Sequence, residues 1–228
     1  SANYIFESVK SFLYKNNKIS NEWNSLNIIS ENASTVGSFD LGMYKTKDGS
    51  NEVLKDLENN KFEIVYLLGQ DNLTFNKKNE FIIYQGSHGD KGAEMSDIIL
   101  PGAAYTEQNG YFTNLEGKLQ KAYKASYPPE DAKEDWLIIN QLAEVMNHRT
   151  LFNDKDELDS SLLNQINLHV EKNKSKEFLE IKGLDFKKEI LQIKNEDYYY
   201  SNVIARASKT MFECKNTKIN LKSTGTEG

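Results

Sequence analysis

Two loops carry the residues best placed to do chemistry: Gly69-Gln70-Asp71-Asn72 and Gly86-Ser87-His88-Gly89-Asp90. Each follows a short apolar run, and ligands of open α/β sheets bind beyond the carboxyl ends of the strands. Backbone N–H groups bared by glycine approach phosphates closely. Gly69, Gln70, Gly86, His88, Gly89 and Asp90 are therefore the candidate contacts for a nucleotide-like ligand. The plainer reading, favoured on physical grounds, is that the glycines only permit tight strand-to-helix turns. Neither loop completes a Gly-x-Gly-x-x-Gly fingerprint. His88 and Asp90 have the types of an acid–base pair, yet the sequence sets no nucleophile beside them. Glu107 and Glu116 flank one extended segment as paired carboxylates would, but capping or pairing with lysine is the favoured role. Cys214 lies near the chain end, where a lone thiol is most often incidental. No residue earns a catalytic assignment.

Composition narrows the field further. One cysteine excludes an internal disulfide and any four-cysteine iron–sulfur or zinc site within these 228 residues. His88, His148 and His169 are far apart and lack metal-ligand spacing, so no metal is expected. The net charge is −6, from 28 basic and 34 acidic residues, and no basic face is evident, which argues against nucleic-acid binding. No run approaches the roughly 18 apolar residues a membrane-spanning helix needs. Ser1-Ala2-Asn3 leads straight into amphipathic sequence, as expected of a chain cut or processed from a longer one.

The elements that position these loops follow from periodicity. Tyr4 to Tyr14 reads as an amphipathic helix with Ile5, Val9, Phe12 and Leu13 on one face. Ser20 and Asn21 are candidate caps of a second helix carrying Trp23, Leu26, Ile28 and Ile29. Val36 to Met43 reads as a glycine-punctuated loop, and Asn51 to Glu58 as a helix with Val53, Leu54 and Leu57 inward. Phe62 to Leu68, Phe81 to Tyr84 and Asp97 to Leu100 read as strands buried on both faces of a parallel sheet, linked in βαβ fashion, with one helical turn between Gly92 and Ser96. Tyr111 to Leu115 and Lys118 to Ala125 read as paired extended segments. Asp131 to Met146 is a helix with Trp136, Ile139, Leu142, Ala143 and Met146 inward. Beyond residue 150, helices are expected over Leu158 to Val170 and Ser201 to Cys214, with a mixed pattern from Phe178 to Ile193. Lys222 to Gly228 reads as a disordered end. The expected fold is α/β, a Rossmann-like open, mostly parallel sheet flanked by helices. An incomplete α/β domain spans 1–150, and an α-rich C-terminal extension spans 151–228.

One stretch is distinctive: Tyr84-Gln85-Gly86-Ser87-His88-Gly89-Asp90, Gly92-Ala93, then Ser96 through Glu107 with Leu100-Pro101-Gly102-Ala103-Ala104 at its centre. Together with Asn32 to Gly37, Asn114-Leu115-Glu116-Gly117, Glu134-Asp135-Trp136 and the tail Ile204 to Met211, it resembles the molybdopterin oxidoreductases. The likeness is to the branch formed by the C-terminal region of the G subunit of NADH–quinone oxidoreductase, the largest peripheral-arm iron–sulfur subunit of respiratory complex I. The resemblance implies that the strand-end loops are a vestigial pterin site holding no cofactor. It implies iron–sulfur clusters in an N-terminal part not present here, and partners among the other peripheral-arm subunits. It also implies a peripheral location, on the cytoplasmic face of a bacterial inner membrane or the mitochondrial matrix side, without membrane insertion. Lys118 stands where relatives usually have arginine, which weakens any bidentate anion contact. A fragment of a pterin-dependent enzyme such as a formate dehydrogenase is the alternative, and a stand-alone nucleotide-binding module the third reading.

Overall fold

The computed structural model describes residues 2–20, 23–30, 32–43, 51–147, 149–173 and 197–223. Their elements in chain order are α1 (Ala2–Lys15), α2 (Thr35–Asp40), α3 (Asn51–Glu58), β1 (Ile64–Leu68), β2 (Phe81–Gly86), α4 (Lys91–Met95), β3 (Ile98–Pro101), β4 (Gly110–Thr113), β5 (Leu119–Ala122), α5 (Asp135–Asn147), α6 (Lys155–Asn173), α7 (Val203–Ala207) and α8 (Lys209–Ser223). A short 3-10 turn, Tyr198–Tyr200, precedes α7. The chain divides into two compact units, each assembled from three segments.

One unit is built on the parallel sheet β1-β2-β3. The α/β fold class is as expected: a mostly parallel sheet flanked by helices, with helices at the C-terminal end. Its centre is β2, where Ile82, Tyr84 and Gln85 are almost completely buried. Leu67, Ile82 and Tyr84 form the core, with Val65, Leu73, Phe75, Ala93 and Met95 packed around them. Burial on both faces was expected of all three strands, but only β2 has it. As edge strands, β1 and β3 leave Ile64 64% and Ile99 54% exposed. The βαβ expectation also fails once: residues 69–80, between β1 and β2, contain no helix. Leu73 and Phe75 from that loop cover the core in its place.

Asp97 fixes the return of this loop. Its carboxylate accepts from the Ile82 N–H at 2.8 Å and from Lys77 Nζ at 2.7 Å. The Ile82 N–H first, and then Lys77, hold the Asp97 carboxyl below the ordinary aspartate range. Its contribution to stability is therefore complete above the unfolded-state value and is lost as pH falls through the lower folded value. Asp97→Asn is expected to flatten the acid limb of a stability-versus-pH curve below about pH 4, leaving the neutral limb parallel to that of the parent. Urea melts at stepped pH check this, and parallel acid limbs would contradict it.

The other unit contains α1, α2, most of β4, β5 and α6. Asn114 makes the β4–β5 turn, its side-chain oxygen accepting from Glu116 N at 3.0 Å and Lys118 N at 2.9 Å. Asp159, 7% exposed, receives Lys121 at 2.8 Å and Lys155 at 3.3 Å. Burial pushes its carboxyl upward, but the two lysines outweigh that and lower it.

Several expectations need correction. Trp23 to Ile29 forms no helix. Ser20 N donates to Trp23 O at 2.7 Å and Ser25 Oγ to Lys18 O at 2.7 Å, so Ser20 takes part in a turn instead, and the other candidate cap, Asn21, falls outside the described residues. The glycine-punctuated segment holds the short helix α2 rather than a loop. Helix α5 begins at Asp135, not Asp131, and buries Ile138 and Asn140, while Met146 is 69% exposed. Of the three α3 residues expected inward, Leu57 is buried while Val53 and Leu54 are exposed, and the expected inward face of α1 leaves Ile5, Val9 and Phe12 exposed. Ser201 to Cys214 is broken in two, because Ser208 ends α7 and its Oγ accepts from Met211 N at 3.3 Å to open α8. Lys222 and Ser223 extend α8 rather than lying in a disordered end. Phe178 to Ile193 and 224–228 fall outside the described residues.

Candidate functional site

The loops that follow β1 and β2 come together around the side chain of Tyr84. This residue shares one face of β2 with Gly86, and its ring lies along the strand over the glycine. The hydroxyl donates to Asp71 Oδ1 at 2.7 Å, and the His88 carbonyl lies 3.0 Å away as a second acceptor for the same proton. Burial foremost, and then the Asp71 bond, raise the Tyr84 hydroxyl well above the ordinary tyrosine range, so it stays a donor. A Cβ on Gly86 would collide with Tyr84 Oη and Cζ. One on Gly92 would lie 2.6 Å from the Gln70 carbonyl oxygen and 3.0 Å from the Tyr84 ring. The space these glycines leave is thus filled by protein.

Gly69 and Gly89 differ. A Cβ added at either would meet nothing within 4 Å, and Gly69, at φ +60°, turns the chain out of β1 in a conformation that favours glycine. Its N–H donates to the Gln85 carbonyl at 2.9 Å, so this turn is also spent on the sheet.

His88 and Asp90, whose types would suit an acid–base pair, are engaged by separate partners. The His88 ring Nδ1 lies 3.0 Å from Ser87 Oγ. The Asp90 carboxylate accepts from the Lys91 N–H at 2.9 Å, capping α4, and from Arg206 Nε at 2.6 Å. Beside this loop lies a cavity of about 440 Å³ whose lining includes Ser87, His88, Glu107, Glu130 and Asp131. Three of these are acids, and among the described residues no lysine or arginine belongs to the lining. Glu107 has the structural role expected of it, its Oε2 accepting from Ala104 N at 2.9 Å. Glu116 is exposed on the β4–β5 turn, and Cys214 is exposed on α8. Among the described residues no three histidines, cysteines or acids gather where a metal ion could be held. His148 and the side chain of His169 lie outside them.

Sequence reasoning missed a polar network on the other face of β2. Gln85, 0% exposed, donates from Nε2 to Asp135 Oδ1 at 2.8 Å and accepts from the Tyr66 hydroxyl. Gln108 Nε2 donates to Asp135 Oδ2 at 2.8 Å and also to the Ala103 carbonyl at 3.1 Å. A glutamine within an apolar run, Ile82-Ile83-Tyr84-Gln85, was the available signal.

Two family models and three relatives among known proteins match the chain. The model of the molybdopterin oxidoreductase family matches residues 1–145, and that of the C-terminal region of the NADH-ubiquinone oxidoreductase G subunit matches residues 167–214. The chain is 39% identical over 231 residues to the NADH-ubiquinone oxidoreductase 75 kDa subunit of Reclinomonas americana, covering 93% of this chain and 31% of that protein. It is also 39% identical over 225 residues to the NADH-quinone oxidoreductase G subunit of Rickettsia bellii, covering 97% and 32%. The mitochondrial NADH-ubiquinone oxidoreductase 78 kDa subunit of Candida albicans is 36% identical over 238 residues, covering 93% and 31%. The chain thus spans about a third of the length of the relatives it matches.

Proposed function

The chain belongs to the molybdopterin oxidoreductase family, and on that premise we propose that it is a scaffold portion of the G subunit of a respiratory NADH–quinone oxidoreductase. The observation that carries this reading is the 39% identity to the G subunit of Rickettsia bellii along 97% of the chain. These relatives carry NADH-oxidoreductase names, which favours this reading over a fragment of a formate dehydrogenase. In the whole protein, electrons from NADH pass to quinone through iron–sulfur clusters borne outside this segment.

A pterin dinucleotide is the cofactor the family name implies, and the residues present do not fit it. Its diphosphate needs bare amides and positive charge at the strand ends. Here Tyr84 fills the space over Gly86, the Asp90 carboxylate sits on the first amide of α4, and Glu107, Glu130 and Asp131 line the adjoining cavity. The role of the domain is accordingly mechanical: it presents surface to other peripheral-arm subunits. No described helix is long and apolar enough to cross a membrane. Within such a complex the segment is peripheral, on the cytoplasmic face of a bacterial inner membrane or the matrix side of a mitochondrial one.

A tagged pull-down of the full-length protein from native membranes is expected to recover the flavin- and iron–sulfur-bearing subunits of the peripheral arm, with no molybdenum by elemental analysis. Recovery of the protein alone, or with stoichiometric molybdenum and pterin, would overturn the proposal in favour of a pterin enzyme.

A further inference from the structure

Among the described residues, one ion pair ties the loop after β2 to the far end of the chain: it joins Asp90 to Arg206, residues 116 positions apart. Arg206 Nε meets Asp90 Oδ2 at 2.6 Å, with 23% and 15% of the two side chains exposed, and Arg206 Nη1 also reaches the Tyr200 carbonyl at 3.4 Å. From there the contacts continue along the tail. Lys215 of α8 meets Asp197 at 2.5 Å and lies 4.2 Å from the centre of the Tyr200 ring. Asn202 caps α7 through Ala205 N at 2.9 Å, which sets the short helix carrying Arg206. On the loop side Asp90 is in turn tied to Lys91 N, and the His88 carbonyl to the Tyr84 hydroxyl.

In an open α/β sheet the ligand binds against the loops at the strand ends, and its contacts hold them. We infer that Arg206 is the internal ligand of the loop that follows β2: residues 197–218 form a clasp that holds residues 86–92 shut through the Asp90 carboxylate. The inference goes beyond the scaffold reading and does not depend on which complex the protein serves. It makes Asp90 and Arg206 positioning residues, and it couples the order of two segments that are distant in sequence. An arginine suits the task, because its planar guanidinium engages the carboxylate and a carbonyl at once, whereas lysine offers a point charge.

Hydrogen exchange on the full-length protein tests the coupling. Asp90→Asn keeps an oxygen to accept from Lys91 N and so preserves the cap while removing the charge. Asp90→Asn and Arg206→Gln are each expected to speed exchange about tenfold in both 86–92 and 203–218, the scale of one charge-assisted hydrogen bond. Residues 82–85 of β2 keep their protection. Arg206→Lys is expected to fall between parent and Arg206→Gln, and it serves as the second variant should Arg206→Gln lose protection in β2 as well. Faster exchange confined to the segment that carries the substitution, or no change in either, would overturn the clasp.

Discussion

Gly86→Ala is expected to cost about 3 kcal/mol of stability, the upper part of the range for forcing extra volume into a packed site. The reason is local and steric. The added methyl would collide with Oη and Cζ of Tyr84, and that ring has nowhere to go: it is 1% exposed, and its hydroxyl is committed to Asp71 at 2.7 Å. Either the ring moves and the buried hydroxyl loses its acceptor, or β2 bends away from β3, where Gly102 N donates to the Gly86 carbonyl at 3.0 Å. For a domain of this size the loss corresponds to a fall of roughly 6–12 °C in Tm. Gly89→Ala, three residues on, meets nothing within 4 Å and is expected to stay within about 0.5 kcal/mol. Thermal melts of the two variants, and of Gly86→Ala in a Tyr84→Leu background, separate the causes. If shortening residue 84 leaves the cost of Gly86→Ala unchanged, close approach of the ring is not its origin.

The ring of Tyr84 over Gly86 marks the boundary of what could be read from the sequence. The loops at Gly69 and Gly86 were legible as strand-end loops, because a short apolar run ending in glycine has few other readings in an α/β chain. What fills them was not. Tyr84 and Gly86 share a strand face by simple alternation, yet nothing local says that the ring folds over the glycine rather than away from it. The partner of Asp90 was beyond reach for a different reason: Arg206 lies 116 residues away, and periodicity carries no information over that span. Misread helices have a third cause. Ser20 has the type of a helix cap, but its Oγ accepts from Trp23 N at 3.1 Å within a turn that Ser25 Oγ also ties, donating to Lys18 O at 2.7 Å. Gly37, taken as a loop signal, sits inside α2, where a Cβ would come within 3.7 Å of Thr113 Oγ1. That is an ordinary contact distance, so neither chain reversal nor close approach demands a glycine there.

Asp135→Ala is expected to cost about 2–4 kcal/mol, because it strips acceptors from two glutamines at once. Gln85 Nε2 would keep only the Asp135 backbone carbonyl at 3.2 Å, and Gln108 Nε2 only the Ala103 carbonyl at 3.1 Å. Gln85 is 0% exposed, so water cannot replace the lost carboxylate without opening the sheet. Asp135→Asn restores one acceptor but turns an N–H₂ toward one of the two glutamine donors, so it is expected to recover only part of the loss. A second readout distinguishes loss of this network from general loosening. Burial first, and the Asp135 charge second, raise the Tyr66 hydroxyl above its ordinary value. A tyrosine raised in the folded state adds stability that is complete below the unfolded value and is lost as pH climbs through the higher folded one, here above about pH 10. In Asp135→Asn the Tyr66 titration is expected to move down toward, but not to, the ordinary value, since burial remains, and the alkaline loss of stability should shrink with it. Ultraviolet titration of tyrosinate beside alkaline urea melts reads both. A Tyr66 titration that does not move would mean that Asp135 acts on β2 through packing alone, and the charge would then have no part in holding α5 to the sheet.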